Sequence, residues 1–175
     1  MIEAALRVYY RDLEKELLPR LSKRVFHVTT EHAFAQIVSD GIIKPNADGG
    51  FAFTFGQSKN SYFRKRNCLS LFDLRAATPQ QIYDSLEKYY FLNPPFTENR
   101  PVYLFLNACC FDKLVPWTKW KEENALSEMV VPYVEAGYPG NLDIGLIDEA
   151  LHLDIDRQLS PLEIALRRGQ EEDAR

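Results

Sequence analysis

Three short stretches of this 175-residue chain carry side chains that could do chemistry together. His27 follows Val25 and Phe26 and precedes Val28 and Thr29, so an imidazole ends an apolar, β-branched run. Tyr62 closes the polar run Ser58-Lys59-Asn60-Ser61-Tyr62, which lies beyond Gly50 and the aromatic alternation of Phe51, Phe53 and Phe55. Glu128 opens the apolar run Met129-Val130-Val131. A hydrogen-bonding imidazole, a ring that can stack and a carboxylate that can stabilise positive charge suit the walls of a nucleotide site. Lys59, Arg64 and Arg66 form the densest basic cluster. With a net charge of −4, any anionic ligand must be held by such a local cluster and not by the field of the whole protein. Glu135, seven residues on from Glu128, is a competing acidic position.

The composition fits a folded domain: 46% hydrophobic, 26% charged and 13% aromatic, with 11 Phe and 9 Tyr. The length predicts one domain over 1–175 with a sizeable core. Cys68, Cys109 and Cys110 are odd in number, and two are adjacent in an apolar run. That is no disulfide framework and predicts buried thiols in a reducing compartment. No Cys/His spacing resembles a zinc site. Early charges at Glu3, Arg7, Arg11 and Asp12 exclude a signal peptide, and no apolar run reaches membrane-spanning length. The expected location is cytoplasmic, although export without a cleaved signal stays open, and no membrane partner is expected.

The elements that must position these residues can be read from periodicity. Ile2, Ala5, Leu6, Tyr9, Leu13, Leu17 and Leu21 share one helical stripe, predicting an N-terminal packing helix over 1–21, ended by Pro19. A core over 24–155 follows. It begins with a strand carrying His27, then a helix from Glu31 to about Ser39, with Thr30 as N-cap and Gly41 as C-cap residue. Further strands are predicted over 51–55, 68–74, 102–107, 128–133 and 150–155, and helices near 58–65 and over 79–90. Residues 93–101 and 135–141 read as loops suited to selecting a partner molecule. Ser160-Pro161-Leu162-Glu163 is a capping box opening a helix over 160–169. Strands outnumber helices and no regular alternation joins them, which predicts an α+β fold with two packed sheets.

The three stretches, in this order, resemble the motifs of the ADP-ribosyltransferase superfamily, in the His-Tyr-Glu branch of diphtheria toxin and the poly(ADP-ribose) polymerases. That branch has a strand ending in His-Gly-Ser or His-Gly-Thr, then a helix, a Gly, and Leu or Ile before Pro. His27, Thr29, Ile37, Gly41, Ile42 and Pro45 fall at matching places. Its second motif is Gly, an aromatic strand, Ser-Lys-Ser and a Tyr, matched by Gly50, Phe53, Ser58, Lys59 and Tyr62. Its third is a Glu opening a strand, matched by Glu128. The resemblance covers about residues 24–155. Val28 stands where the family has Gly, and the spacing from Ser58 to Tyr62 is one residue short.

The resemblance implies a split β-sandwich of about six strands with flanking helices, NAD as substrate, and transfer of ADP-ribose to a macromolecular acceptor, protein or nucleic acid. A toxin or phage-defence role with an antitoxin partner would follow the superfamily. By the same resemblance the catalytic residues are Glu128, Tyr62 and His27. Glu128 would sit against the ribose 2′-hydroxyl and stabilise an oxocarbenium-like transition state, as in glycoside cleavage. Tyr62 would stack on nicotinamide, and His27 would bond a ribose hydroxyl. The Val28 backbone would pair with the nicotinamide amide, with Thr29 near the adenine side. Phe53 and Ser58 complete the cofactor wall, and Lys59, Arg64 and Arg66 would face the diphosphate. Two relatives of the same fold read similarly. A DNA-modifying toxin type relies on Arg and Glu, so Arg64 or Arg66 could outweigh Tyr62. An RNA 2′-phosphotransferase type would use His27 with Arg64 and Arg66. A catalytically inactive nucleotide-binding module is the third alternative, and Val28 is its best support.

Overall fold

The computed structural model describes residues 1–51, 59–86 and 100–156. Phe53, Ser58, the strand predicted over 51–55, most of the loop over 93–101 and the helix over 160–169 lie outside them. The described chain is α+β. A seven-stranded mixed sheet carries helices on both faces, and a two-stranded sheet packs beside it.

The sheet order is β1 (Ile2–Tyr9), β9 (Ile147–Asp156), β5 (Pro101–Leu106), β2 (Val25–Thr30), β4 (Cys68–Asp73), β7 (Glu135–Pro139) and β6 (Val115–Pro116). β1 runs parallel to β9, and every other pair is antiparallel. The second sheet pairs β3 (Ile42–Ile43) with β8 (Leu142–Asp143). β5 is buried along its whole length, as a central strand covered on both faces must be.

Two apolar layers explain the arrangement. On one face, Phe26, Val28, Tyr103, Phe105, Leu151 and Leu153 meet α1 (Leu13–Leu21) and Ile82 of α4 (Pro79–Leu86). α1 presents Leu13, Leu17 and Leu21, one per turn, and each buried Leu contributes about 2 kcal/mol. On the other face, Val25, Leu69, Leu71, Val102, Leu104 and Ala150 meet Phe34 of α2 (Glu31–Asp40), Ile43 and Leu142. α2 begins and ends where the sequence predicts. The Thr30 hydroxyl accepts from the Ala33 N–H at 3.3 Å, and Gly41 turns left-handed at φ 71°.

Four expectations are corrected. Residues 1–21 are not one helix, because Ile2–Tyr9 is β1 and only Leu13–Leu21 is helical. Pro19 lies inside α1 and does not end it. Residues 128–133 form no strand. Met129 makes a single bridge to Ser61, Tyr133 adopts φ 70°, and the strand begins at Glu135 instead. Of the cysteines, Cys68 and Cys110 are buried but Cys109 is exposed.

Candidate functional site

The β2–β4 pair is where the sheet opens. Its ladder holds only two pairs, Val25–Asp73 and Phe26–Phe72, although both strands continue beyond them. On its other side β2 stays laddered to β5 from Phe26 to Thr30. The Arg24 carbonyl accepts from the Leu74 N–H at 2.9 Å, so Arg24 turns its peptide groups toward the β4 side. Backbone direction alternates along a strand, so Phe26, Val28 and Thr30 turn theirs the same way. The peptide groups of Val28 therefore face the opening, where β4 no longer ladders. Its side chain packs into the core with Phe26, a place that a branched apolar residue fills and Gly would leave empty.

His27 borders the opening. Its Nδ1 lies 3.0 Å from the Ser70 carbonyl oxygen. A carbonyl only accepts, so Nδ1 carries the proton and Nε2 is left as an acceptor in the neutral ring. Burial lowers the His27 pKa, with the Ser70 bond working against that, and so favours the neutral form. Thr29 is buried beside it, paired with Val102 in the ladder.

Ser70 joins His27 to a carboxylate. Its hydroxyl donates to Glu135 Oε1 at 2.6 Å. The other Glu135 oxygen accepts from the Val131 N–H at 2.6 Å, and the Glu135 N–H donates back to the Val131 carbonyl at 3.0 Å. This reciprocal pair closes the turn through Tyr133, whose left-handed backbone costs about 1 kcal/mol. Glu135 is only 7% exposed. Desolvation pushes its pKa up to about 7, against the two hydrogen bonds. Glu135 is visible in the sequence as a competing acid, whereas Ser70 is not visible as its partner. The available signal was a hydroxyl inside the otherwise apolar run Cys68-Leu69-Ser70-Leu71-Phe72.

The other expected residues form a second cluster. Tyr62 opens α3 (Tyr62–Lys65), capped by the Ser61 hydroxyl, and is fully buried. The Arg66 guanidinium lies over its ring at 3.7 Å, and Phe63 meets it edge-on at 5.0 Å. Placed so, Tyr62 offers no free face to a nicotinamide ring. Desolvation raises its pKa to about 12. The Glu123 carboxylate is near enough to help hold the proton but outside hydrogen-bond geometry, so among the described residues the buried hydroxyl has no hydrogen-bond partner.

Arg66 donates to Glu128 at 2.6 Å, to Glu123 at 2.8 Å and to the Tyr62 carbonyl at 3.0 Å. Lys65 adds an ion pair to Glu128 at 3.4 Å. Desolvation works to raise the Glu128 pKa, but Arg66 and Lys65 prevail and lower it. The Glu128 backbone is fixed as well, since its carbonyl accepts from the Trp120 indole at 2.9 Å. Glu128 is thus an ionised carboxylate whose charge two cations already neutralise.

Arg64 serves a loop. Its Nε donates to the Asn46 carbonyl at 2.6 Å, and the Asn46 side chain ties the loop back to Phe51. A Cβ at Gly49, which has φ 74°, would meet the guanidinium at 2.7 Å. Lys59 is exposed. Tyr62, Arg66 and Glu128 are therefore brought together, and His27 and Glu135 are brought together. Among the described residues no hydrogen bond or ion pair joins the two groups.

A surface hollow of about 290 Å³ between α1 and α4, lined by Glu14, Leu18, Pro79 and Tyr83, lies on the helical side of the sheet and touches none of these residues. No family model, curated protein or solved structure matches the chain.

Proposed function

We propose that the chain binds NAD and transfers ADP-ribose to a macromolecular acceptor, protein or nucleic acid, within the cytoplasm, in a toxin or phage-defence setting. The reading rests on the motif resemblance, and one observation supports it most. At the residue where that resemblance asks for a backbone pairing with the nicotinamide amide, the β2–β4 ladder has stopped, and the Val28 peptide groups face the opening.

In this reading His27 Nε2 accepts from a ribose hydroxyl, and Ser70 keeps the imidazole in the required tautomer. Of the two candidate carboxylates, Glu135 suits the ribose better than Glu128. It is linked through Ser70 to His27, and among the described residues no cation neutralises it in hydrogen-bond contact. A carboxylate in a desolvated setting stabilises an oxocarbenium-like charge more strongly than an ion-paired one. Glu128 and Arg66 would then order the neighbouring wall, with Tyr62 as the packed support beneath.

Titration calorimetry with NAD and turnover of labelled NAD test the reading. Binding is expected in the parent protein. Glu135→Gln should lose turnover by about a hundredfold or more while still binding. A parent protein that binds no NAD would sink the class.

A second reading, a nucleotide-binding module without chemistry, is favoured by the burial of Tyr62 under Arg66 and by the neutralised Glu128. It predicts binding of NAD or ADP-ribose with no turnover, and a parent protein that releases nicotinamide excludes it. The RNA 2′-phosphotransferase alternative loses support, because Arg64 and Arg66 both hold partners within the protein.

A further inference from the structure

β1 is the edge of the seven-stranded sheet, and among the described residues no strand pairs with its outer side. An open edge of eight residues presents a row of unladdered N–H and C=O groups, which natural proteins ordinarily cover, shorten or guard with charge. Along β1, Ala4, Leu6 and Val8 lean on the core face, while Glu3, Ala5 and Arg7 are exposed. Ile2, on the core-facing parity, is nevertheless 72% exposed, and Tyr9 and Tyr10 are also exposed.

The sequence of this edge is complementary to itself. Two β1 strands placed antiparallel about a twofold axis at Ala5 set Glu3 opposite Arg7 of the other copy, twice. The same register sets Ala4 against Leu6 and Ile2 against Val8, which covers the exposed Ile2 and prolongs the apolar layer. A register centred on Glu3 or on Arg7 stacks like charges, and one-residue slips set Glu3 or Arg7 against an uncharged residue. Only the Ala5-centred register pairs both charges, and the small side chain at the axis lets the strands approach. The present partners of these charges are loose. Glu3 lies 3.6 Å from His152 Nε2, and Arg7 lies 3.2 Å from Asp156, with side chains 63% and 75% exposed.

We infer that two copies of this chain associate through β1, joining their sheets edge to edge across a twofold axis at Ala5. Such an interface is isologous, so each charge pair occurs twice, and opposite charges directly across a strand pair stabilise it while like charges oppose it.

Sedimentation velocity over a concentration series, with circular dichroism to confirm folding, tests this. The parent chain should show a concentration-dependent dimer that weakens as salt rises. Glu3→Arg and Arg7→Glu should each weaken association by about tenfold or more. The double exchange Glu3→Arg with Arg7→Glu should restore it, because the pairing is regained with the signs reversed. Ala5→Lys, at an exposed position that leaves the fold intact, places two ammonium groups at the axis and should yield monomer. A parent chain that stays monomeric throughout would overturn the inference. So would a dimer indifferent to Ala5→Lys, or a folded double exchange as weak as the single changes.

Discussion

Glu135 makes stability depend on pH in a direction unusual for a carboxylate. Its folded pKa is about 7 against 4.5 for the unexceptional group. Below pH 4.5 both folded and unfolded chains hold the proton. Between 4.5 and 7 the unfolded chain releases it while the folded chain keeps it, so rising pH favours unfolding. Above 7 both are ionised and the loss is complete. The shift corresponds to about 3 kcal/mol lost across this window. Glu135→Gln removes the titration and preserves the geometry. The amide oxygen can accept from the Val131 N–H, and the amide nitrogen can donate to the Ser70 hydroxyl, which then turns its own proton elsewhere. The variant should therefore gain about 3 kcal/mol over the parent on going from acid to mildly alkaline pH, or about 6–12 °C in melting temperature. Denaturant unfolding of both proteins at a series of pH values measures the difference, and other titrating groups cancel in it. A difference that stays flat from pH 4 to 8 would refute the desolvation argument. It would mean that the carboxylate is better hydrated than its burial implies.

Three further outcomes follow from the same geometry. His27 titrates in the opposite sense. Its folded pKa is lowered below 6.5, so its contribution is present above 6.5 and is lost as pH falls through the folded value. His27→Asn should flatten the acid side of the stability profile, and a ring resonance of His27 titrating at or above 6.5 would contradict its burial. Tyr62→Phe removes a buried hydroxyl that has no hydrogen-bond partner among the described residues. Denaturant unfolding should show a change within about 0.5 kcal/mol or a small gain, since no hydrogen bond is lost. Gly137→Ala would bring a Cβ to 2.2 Å from the Phe63 ring, inside a buried strand. Thermal unfolding should register a loss of about 1–3 kcal/mol, relieved in part by Phe63→Leu.

The readable parts of the fold were those whose signals are local. α2 carries its own N-cap at Thr30 and its left-handed stop at Gly41, so its limits needed no knowledge of the rest. β5 is an apolar run that only a covered sheet can accommodate, and β9 alternates Leu151, Leu153 and Ile155 with polar residues, the period of a strand. The N-terminus is ambiguous in the sequence because two periods share its residues. Ile2 and Leu6 belong equally to a helical stripe and to the alternation Ile2, Ala4, Leu6, Val8. The choice was made by β9, a strand distant in sequence, and propensity could not see it. β7 was missed for a related reason. Glu135 and Gly137 look unlike a buried strand until Ser70 is found to bond the one and Phe63 to cover the other. At the site, His27 was visible as a chemical side chain on a strand. The burial of Tyr62 was not, because Arg66 reaches its ring only after Glu123 and Glu128, far along the chain, have fixed the guanidinium.

The parallel pairing of β1 with β9 also governs how the protein forms. Arg7 meets Asp156 across a separation of 149 residues, and the register holds from Ile2 to Tyr9. Closing so long a loop is entropically costly, and contacts of such range slow folding. During synthesis β1 is made long before β9, its partner strand among the described residues. For that interval the nascent chain carries a strand with two open edges, and it is then most exposed to pairing with the wrong neighbour. The charges at Glu3 and Arg7 guard that interval, until β9 leaves them on the one edge where they can pair with a second copy.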